Sequence, residues 1–250
     1  MNCTPKHREY VQIQETSFQV ECSLPLRVRL SMEMRLLWLP SRGGTAYAVV
    51  DEPEVEAADQ EHIILVEDVL VALQQMARHH RKQFRIPVVA LTGTNGKTTT
   101  KELIAACLSK KYNVVATEGN LNNHIGVPLT LLRLGSDTQA AVIEMGASNP
   151  GEISTLMRIA CPSFGLVTNV GKAHLQGFGS LEGVMATKGE LYDDLQEHRK
   201  IAFVNIDNPL LMKMAAQRQK LQIVPYGINN DGAKVIVDEG GSPFLKMMIP

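Results

Sequence analysis

The chain has 250 residues, 44% of them hydrophobic and 20% charged, with a net charge of −1. That length holds one to two domains at ~150 residues each, and the balance excludes a wholly disordered or collagen-like chain. No basic field favours nucleic acid or an anionic membrane, and no apolar run approaches the ~20 residues of a membrane span.

Residues 1–43 have no sustained period of 3.6 or 2, so this stretch is expected to be irregular. AYAVVD (46–51) and HIILVED (62–68) read as short strands. Asp68 is placed to cap a helix over 69–82 whose apolar face is Val69, Leu70, Leu73, Met76 and Ala77. Arg78, His79, His80, Arg81 and Lys82 close it at the negative end of the helix dipole, as a solvated helix end or as a metal-binding histidine pair.

From residue 86, strand and helix patterns alternate. IPVVALTG, YNVVAT, AAVIEMG, FGLVTNV, KIAFVN and LQIVPYG read as strands; helices are expected over 97–111, 127–134, 151–160, 181–195 and 209–219. Near-continuous apolar strands between amphipathic helices predict a mostly parallel α/β sheet with helices on both faces. Residues 231–250 begin a further strand-like pattern. Cys3, Cys22, Cys107 and Cys161 lack C-x-x-C spacing, and MNCTPKHREY has no apolar signal region. The expectation is a soluble, reduced, cytoplasmic monomer without membrane insertion or nucleic acid.

The strongest local signal is Gly93-Thr94-Asn95-Gly96-Lys97-Thr98-Thr99, set between a buried strand and a helix. A phosphate-binding loop needs that setting: the glycines let backbone N–H groups converge on phosphate oxygens, and the helix points its positive end at them. Lys97 is then expected to pair with the β- and γ-phosphates of ATP, and the Thr98 hydroxyl to ligate Mg2+. The spacing is two residues shorter than G-x-x-x-x-G-K-[ST]. Glu144 follows a strand and reads either as a second magnesium ligand or as a capping or surface carboxylate. His174 by itself reads as structural, and Lys188 as a solvated helix lysine. Asn120, Asn122 and Asn123 make a polar loop that turn chemistry explains.

Taken together, GTNGKTTT, GNLNNHIGVP, EMGASNPGEI, TNVGKAHLQGFGS and ATKGEL occur in this order on one α/β frame. Over residues 44–246 the chain resembles the Mur ligase family. The resemblance implies an ATP-dependent ligase of peptidoglycan-precursor synthesis that forms a C–N bond through an acyl phosphate. EMGASNPGEI and NVGKAHLQGFGS resemble the member that takes UDP-N-acetylmuramoyl-tripeptide and D-alanyl-D-alanine as substrates. It implies that Thr98 and Glu144 hold one Mg2+, that His174 helps hold a second, and that Lys188 is carbamylated by CO2 and serves as a further ligand. Lys97, His174 and Lys188 are the implied catalytic residues, and Asn120, Asn122 and Asn123 line the substrate path.

By the same resemblance, residues 44–82 end the UDP-binding domain and 83–250 form an incomplete ATP-binding domain, with the closing C-terminal domain absent. Residues 1–43 do not resemble the family as written. Joining the third base of each codon to the first two of the next, Met32–Glu33 forces glycine, and 11–34 can be read as TDTRNIVPGGMFFALKGETFDGN. That string resembles the family's N-terminal block, so a frameshift is expected there. The chain alone is expected to be inactive as a ligase. The alternatives are a non-catalytic ATP-binding fragment and an unrelated P-loop kinase or NTPase.

Overall fold

The computed structural model describes residues 46–51, 53, 63–171 and 179–228, with strand backbones at 19–21, 27–29, 36–40, 234–236 and 246–248. The chain divides into two compact units, residues 1–21 with 25–69, and residues 22–24 with 70–250.

In the first unit, β1 (Gln19–Glu21) pairs antiparallel with β2 (Arg27–Arg29). β3 (Leu36–Pro40) runs antiparallel to β4 (Ala46–Val50), which lies parallel to β5 (Ile63–Leu65). Where residues 1–43 are described they are therefore extended and paired, not irregular. The LLWLP run offers an apolar strand to AYAVV, whose Ala48, Val49 and Val50 are buried. The rest of that segment, and with it most of the shifted reading, lies outside the described residues.

The second unit is built on six parallel strands. They are β6 (Val88–Thr92), β7 (Val114–Ala116), β8 (Ala140–Glu144), β9 (Phe164–Val167), β10 (Ile201–Asn205) and β11 (Gln222–Tyr226), in the order β11-β10-β9-β6-β8-β7. β12 (Lys234–Ile236) and β13 (Lys246–Met248) pair antiparallel apart from them. The intervening helices are α1 (Val69–Lys82), α2 (Lys97–Leu108), α3 (Gly126–Leu132), α4 (Glu152–Ala160), α5 (Leu181–Glu197) and α6 (Pro209–Ala216). On one face of the sheet Leu91, Val142 and Leu166 pack with Ile104, Ala105 and Leu108 of α2. On the other, a Cβ on Gly165 would meet Leu191 and Leu195 of α5 at 2.9 Å, so glycine there lets this helix lie close. Helices thus cover both faces, as the alternating pattern predicts.

Two boundaries differ from the sequence expectation. The sequence divides the domains after Lys82, but α1 from Leu70 onward belongs with the second unit. Its end is solvated at Arg78, His79 and Lys82, as expected, but not at Arg81. Arg81 is buried, and its guanidinium donates to the carbonyls of Ala160, Phe84, Ile86 and Cys161, which ties α1 to the end of α4. His80 contacts the Leu134 carbonyl at 2.9 Å and packs edge-on against Phe84, while His79 meets Gln83. Each histidine thus has an ordinary partner, and among the described residues no three metal-ligating side chains cluster. The other difference is at the end of β9. FGLVTNV leaves the sheet after Val167, because Thr168 and Asn169 are engaged elsewhere.

Candidate active site

β6 lies between β8 and β9, and the chain leaves β6 and β9 in opposite directions along the sheet. Open α/β sheets place ligands beyond the strand ends at such a switch point. Three strand ends meet there: the Gly93–Gly96 loop after β6, Glu144 at the end of β8, and residues 168–171 after β9.

The loop is held in shape from β9. Thr94 N–H donates to the Asn169 carbonyl (3.0 Å), and Asn95 N–H to Asn169 Oδ1 (3.0 Å). The Asn95 carbonyl accepts from Thr168 Oγ1 (2.7 Å) and Asn169 Nδ2 (2.9 Å), and Gly171 N–H donates to Thr94 Oγ1 (3.0 Å). Gly93 has φ 149°, and a Cβ on it would sit 2.0 Å from Thr168 Oγ1, so no other residue fits. Gly96 caps α2 in the left-handed conformation (φ 74°) without a side-chain cap bond. The first N–H groups of α2 are thereby left to face an anion. The Lys97 ammonium donates to the carbonyls of Gly93 (3.0 Å) and Thr94 (3.2 Å), lying over the loop. Thr98 and Thr99 are exposed in the first turn of α2, whereas the Thr94 hydroxyl is used within the protein.

A cavity of about 440 Å3 opens beside this loop, and Gly93, Lys97, Asn120, Asn122, Asn123 and Lys188 all line it. The three asparagines differ in what they do. Asn122 donates from Nδ2 to Glu144 Oε1 (2.8 Å). Asn123 accepts from the N–H groups of Ile125 and Gly126, which is the turn chemistry expected of it, and Asn120 is exposed in the cavity wall.

Glu144 is neither a surface carboxylate nor a helix cap. It is 1% exposed, its N–H is held by Thr117 Oγ1 (2.9 Å), and its second carboxylate oxygen, Oε2, is buried without a hydrogen-bond partner. An unpartnered buried carboxylate oxygen is costly unless something binds it, and a divalent cation is the natural complement. Magnesium is commonly held by one or two carboxylates with substrate phosphates and waters, so this donor set fits it.

Lys188 is also buried, 3% exposed, where its position alone suggests a solvated side chain. Its ammonium lies 3.5 Å from the Ala147 carbonyl. Burial first, then the neighbouring Lys97 charge, bring its pKa down to about 8, against the opposing pull of Glu152 and Glu190. Those two carboxylates fix the loop that carries Ala147. Glu190 accepts from the N–H groups of Gly151 (2.6 Å) and Ser154 (2.9 Å), and Glu152 from those of Ser148 and Asn149. Burial alone would raise the Glu152 pKa, but the bonds from Asn149 and Ser148 hold it below the ordinary value. His174 lies outside the described residues.

Sequence reasoning missed Thr168, Asn169, Glu152 and Glu190. Their signal was only the shared blocks TNVG, EMGASNPGEI and ATKGEL, since each acts on a partner placed by the fold. Lys188 did carry a local signal: with Val184, Leu191 and Leu195 it falls on one helical stripe, all of it buried.

The geometry defines a doubly wound α/β domain with a glycine phosphate loop and a buried lysine lining one cavity, and a buried carboxylate bonded to Asn122 of its wall. Residues 91–246 match the Mur ligase middle domain, so the chain belongs to the Mur ligase family. It is 42% identical over 168 residues to the UDP-N-acetylmuramoyl-tripeptide–D-alanyl-D-alanine ligase of Bacillus subtilis (strain 168), which covers 67% of this chain and 36% of that protein. It is 48% identical over 145 residues to the ligase of the same name from Escherichia coli (strain K12), covering 58% of this chain and 32% of that one. Among solved structures it matches the MurF ligase of Thermotoga maritima in complex with ADP, with TM-score 0.67 and 33% identity over 77% of this chain and 44% of that one. MurF from Acinetobacter baumannii matches with TM-score 0.63 and 34% identity over 70% and 39% of the two chains. The chain thus spans about a third to two fifths of the length of these relatives. Among the described residues no helix is long and apolar enough to cross a membrane.

Proposed function

We propose that this chain carries the ATP-binding site of a cytoplasmic ligase that joins D-alanyl-D-alanine to UDP-N-acetylmuramoyl-tripeptide in peptidoglycan-precursor synthesis. The observation that carries the reading is the convergence of Lys97, Lys188 and Asn122 on one cavity beside the phosphate loop, with the buried Glu144 bonded to Asn122 behind its wall. The relatives named for that reaction support the substrate assignment, and the ADP complex of the Thermotoga maritima relative supports ATP. The reading takes residues 83–250 as ATP-binding and 44–82 as the end of the UDP-binding domain. A reducing, cytoplasmic location agrees with free thiols at Cys107 and Cys161, and the reading takes the protein as a monomer.

The difficulty of such a reaction is bringing a substrate carboxylate to an anionic triphosphate. The N–H groups at the start of α2 and the Lys97 ammonium offset that repulsion and favour the charge that builds on the transferring phosphoryl group. The carboxylate oxygen attacks the γ-phosphorus, the bond to the β,γ-bridging oxygen breaks, and ADP leaves. The neutral amine of the dipeptide then adds to the acyl phosphate carbon, phosphate departs with its electron pair, and the nitrogen releases one proton to give the amide. Glu144 and the Thr98 hydroxyl are the residues to hold magnesium, which when bound neutralises phosphate charge. His174 joins the proposed set for a second ion.

Lys188 is suited to carbamylation. The reaction needs a neutral amine, and a pKa of about 8 makes that form far more accessible near neutrality than the ordinary 10.5 does. The nitrogen lone pair attacks CO2, one proton is released, and an ammonium that repels cations becomes an anionic carbamate.

The test places residues 91–226 of this chain into the Bacillus subtilis relative, in place of its matching segment, and measures phosphate release. The reading predicts release that requires both UDP-N-acetylmuramoyl-tripeptide and D-alanyl-D-alanine. Nucleotide binding without such release would leave a non-catalytic ATP-binding segment. Phosphorylation of a separate acceptor would make it a kinase.

A further inference from the structure

We infer that Lys101 is a positioning residue that locks the helix carrying Lys97 and Thr98 to the strand end carrying Glu144. The inference rests on the reading of Thr98 and Glu144 as magnesium ligands. Lys101 stands three and four residues after Thr98 and Lys97, so all three lie close together along α2. Its side chain is 1% exposed, which is unusual for lysine, and its ammonium donates to the Thr117 carbonyl at 2.6 Å. Its other ionic partner is Glu102 Oε1, at 2.6 Å, on a side chain that stays largely in water.

Thr117 is the hub of the connection. It is buried at the end of β7, its carbonyl takes the Lys101 ammonium, and its hydroxyl takes the Glu144 N–H. Its own N–H goes to the Val142 carbonyl. Beyond Glu144 the chain of contacts continues to Asn122, whose carbonyl accepts from Gly146 N–H. β7 is a three-residue edge strand paired with β8 alone, so its end has no second neighbour in the sheet to fix it. The ammonium fixes that end from α2, next to Arg133, which donates to the Ala116 carbonyl. A leucine or methionine would fill the same space without burying a charge; the specific gain from lysine is the bond to Thr117. That bond sets the distance between the two proposed metal-binding groups, one on α2 and one on β8.

The test uses the full 250-residue chain with Lys101→Met, Lys101→Arg and Thr117→Val. A non-hydrolysable ATP analogue is titrated in EDTA and over a range of Mg2+ concentrations, with melting followed in parallel. Loss of an outer partner of a metal ligand typically weakens metal binding about 10–100-fold. Lys101→Met is therefore expected to raise the Mg2+ concentration for half-maximal tight binding by about tenfold or more. Metal-free affinity should stay within about twofold, and Lys101→Arg should restore part of the metal dependence. Thr117→Val keeps the carbonyl that Lys101 uses but removes the hydroxyl that takes the Glu144 N–H, so it should give the same shift through the second link. If Lys101→Met does not fold, Lys101→Arg read against the unaltered chain decides the matter, a partial shift supporting the role and none overturning it. Unchanged Mg2+ dependence in the folded variants, or equal losses with and without metal, would overturn the role of Lys101. Absence of any Mg2+-dependent binding by the unaltered chain would instead overturn the proposed site.

Discussion

Lys188→Met exchanges a buried ammonium for a thioether of similar length, and the depressed pKa sets what this does to stability. A fall from the ordinary 10.5 to about 8 means that the folded state disfavours the protonated side chain. At ~1.4 kcal/mol per tenfold, that is a penalty of about 3 kcal/mol. Below pH 8 the lysine is protonated in both folded and unfolded chains, and the whole penalty is present. Between about 8 and 10.5 the folded protein has released its proton while the unfolded chain still holds one, so stability rises with pH. Above that window the penalty is gone. The bond to Ala147 is long, 3.5 Å, and losing it together with the ammonium's remaining interactions costs about 1 kcal/mol. Lys188→Met should therefore stabilise the protein by about 2 kcal/mol at pH 6.5, or roughly 4–8 °C in Tm, with the gain vanishing by about pH 10.5. The assay is denaturant and thermal unfolding of both proteins across that range, in buffer freed of CO2. A difference that is flat with pH, or destabilisation at pH 6.5, would refute the argument that burial depresses this lysine.

Three further outcomes follow from the same geometry. With 13C-labelled bicarbonate, a carbamate resonance is expected that grows as pH rises toward 8 and is absent from Lys188→Met; a resonance that survives the substitution would place the carbamate elsewhere. Glu144→Gln keeps an oxygen for Asn122 but removes the charge on the unpartnered Oε2, so it should fold with unchanged or higher Tm. The same variant should lose at least about tenfold in Mg2+-dependent nucleotide affinity, and retained affinity would remove Glu144 from the metal site. Arg81→Met leaves four carbonyls without their common donor and should cost about 3 kcal/mol or more in urea unfolding, whereas a loss under 1 kcal/mol would make those bonds dispensable.

Much of the second unit is legible in the sequence because the central parallel strands β6, β8 and β9 are buried on both faces and so read as unbroken apolar runs. IPVVALTG, AAVIEMG and KIAFVN each contain the strand they predict, and GTNGKTTT sits where a strand gives way to a helix. What periodicity could not reveal depends on partners far along the chain. Thr168 and Asn169 look like the end of a strand until Asn95, more than 70 residues away, takes their hydrogen bonds. Arg81 looks like a solvated helix end until the carbonyls of Ala160 and Cys161 surround it. Lys188 and Lys101 were legible in part, since both fall on the inward stripes of their helices; charge argues for water more strongly than position argues for burial. Glu144 could be placed at a strand end, but only the fold shows one oxygen paired and the other alone.

The central claim, that the Gly93–Thr99 loop is a nucleotide site, is tested most directly by calorimetric titration of the chain and its Lys97→Ala variant with a non-hydrolysable ATP analogue and Mg2+. The loop amides remain in the variant, held by Asn169 and Thr168, so the fold and melting temperature should persist. A hydrogen bond to a charged group contributes ~1.5–3 kcal/mol, so affinity should fall at least about tenfold with the ammonium gone. Equal affinity in the two proteins, or no binding by the unaltered chain, would contradict the claim.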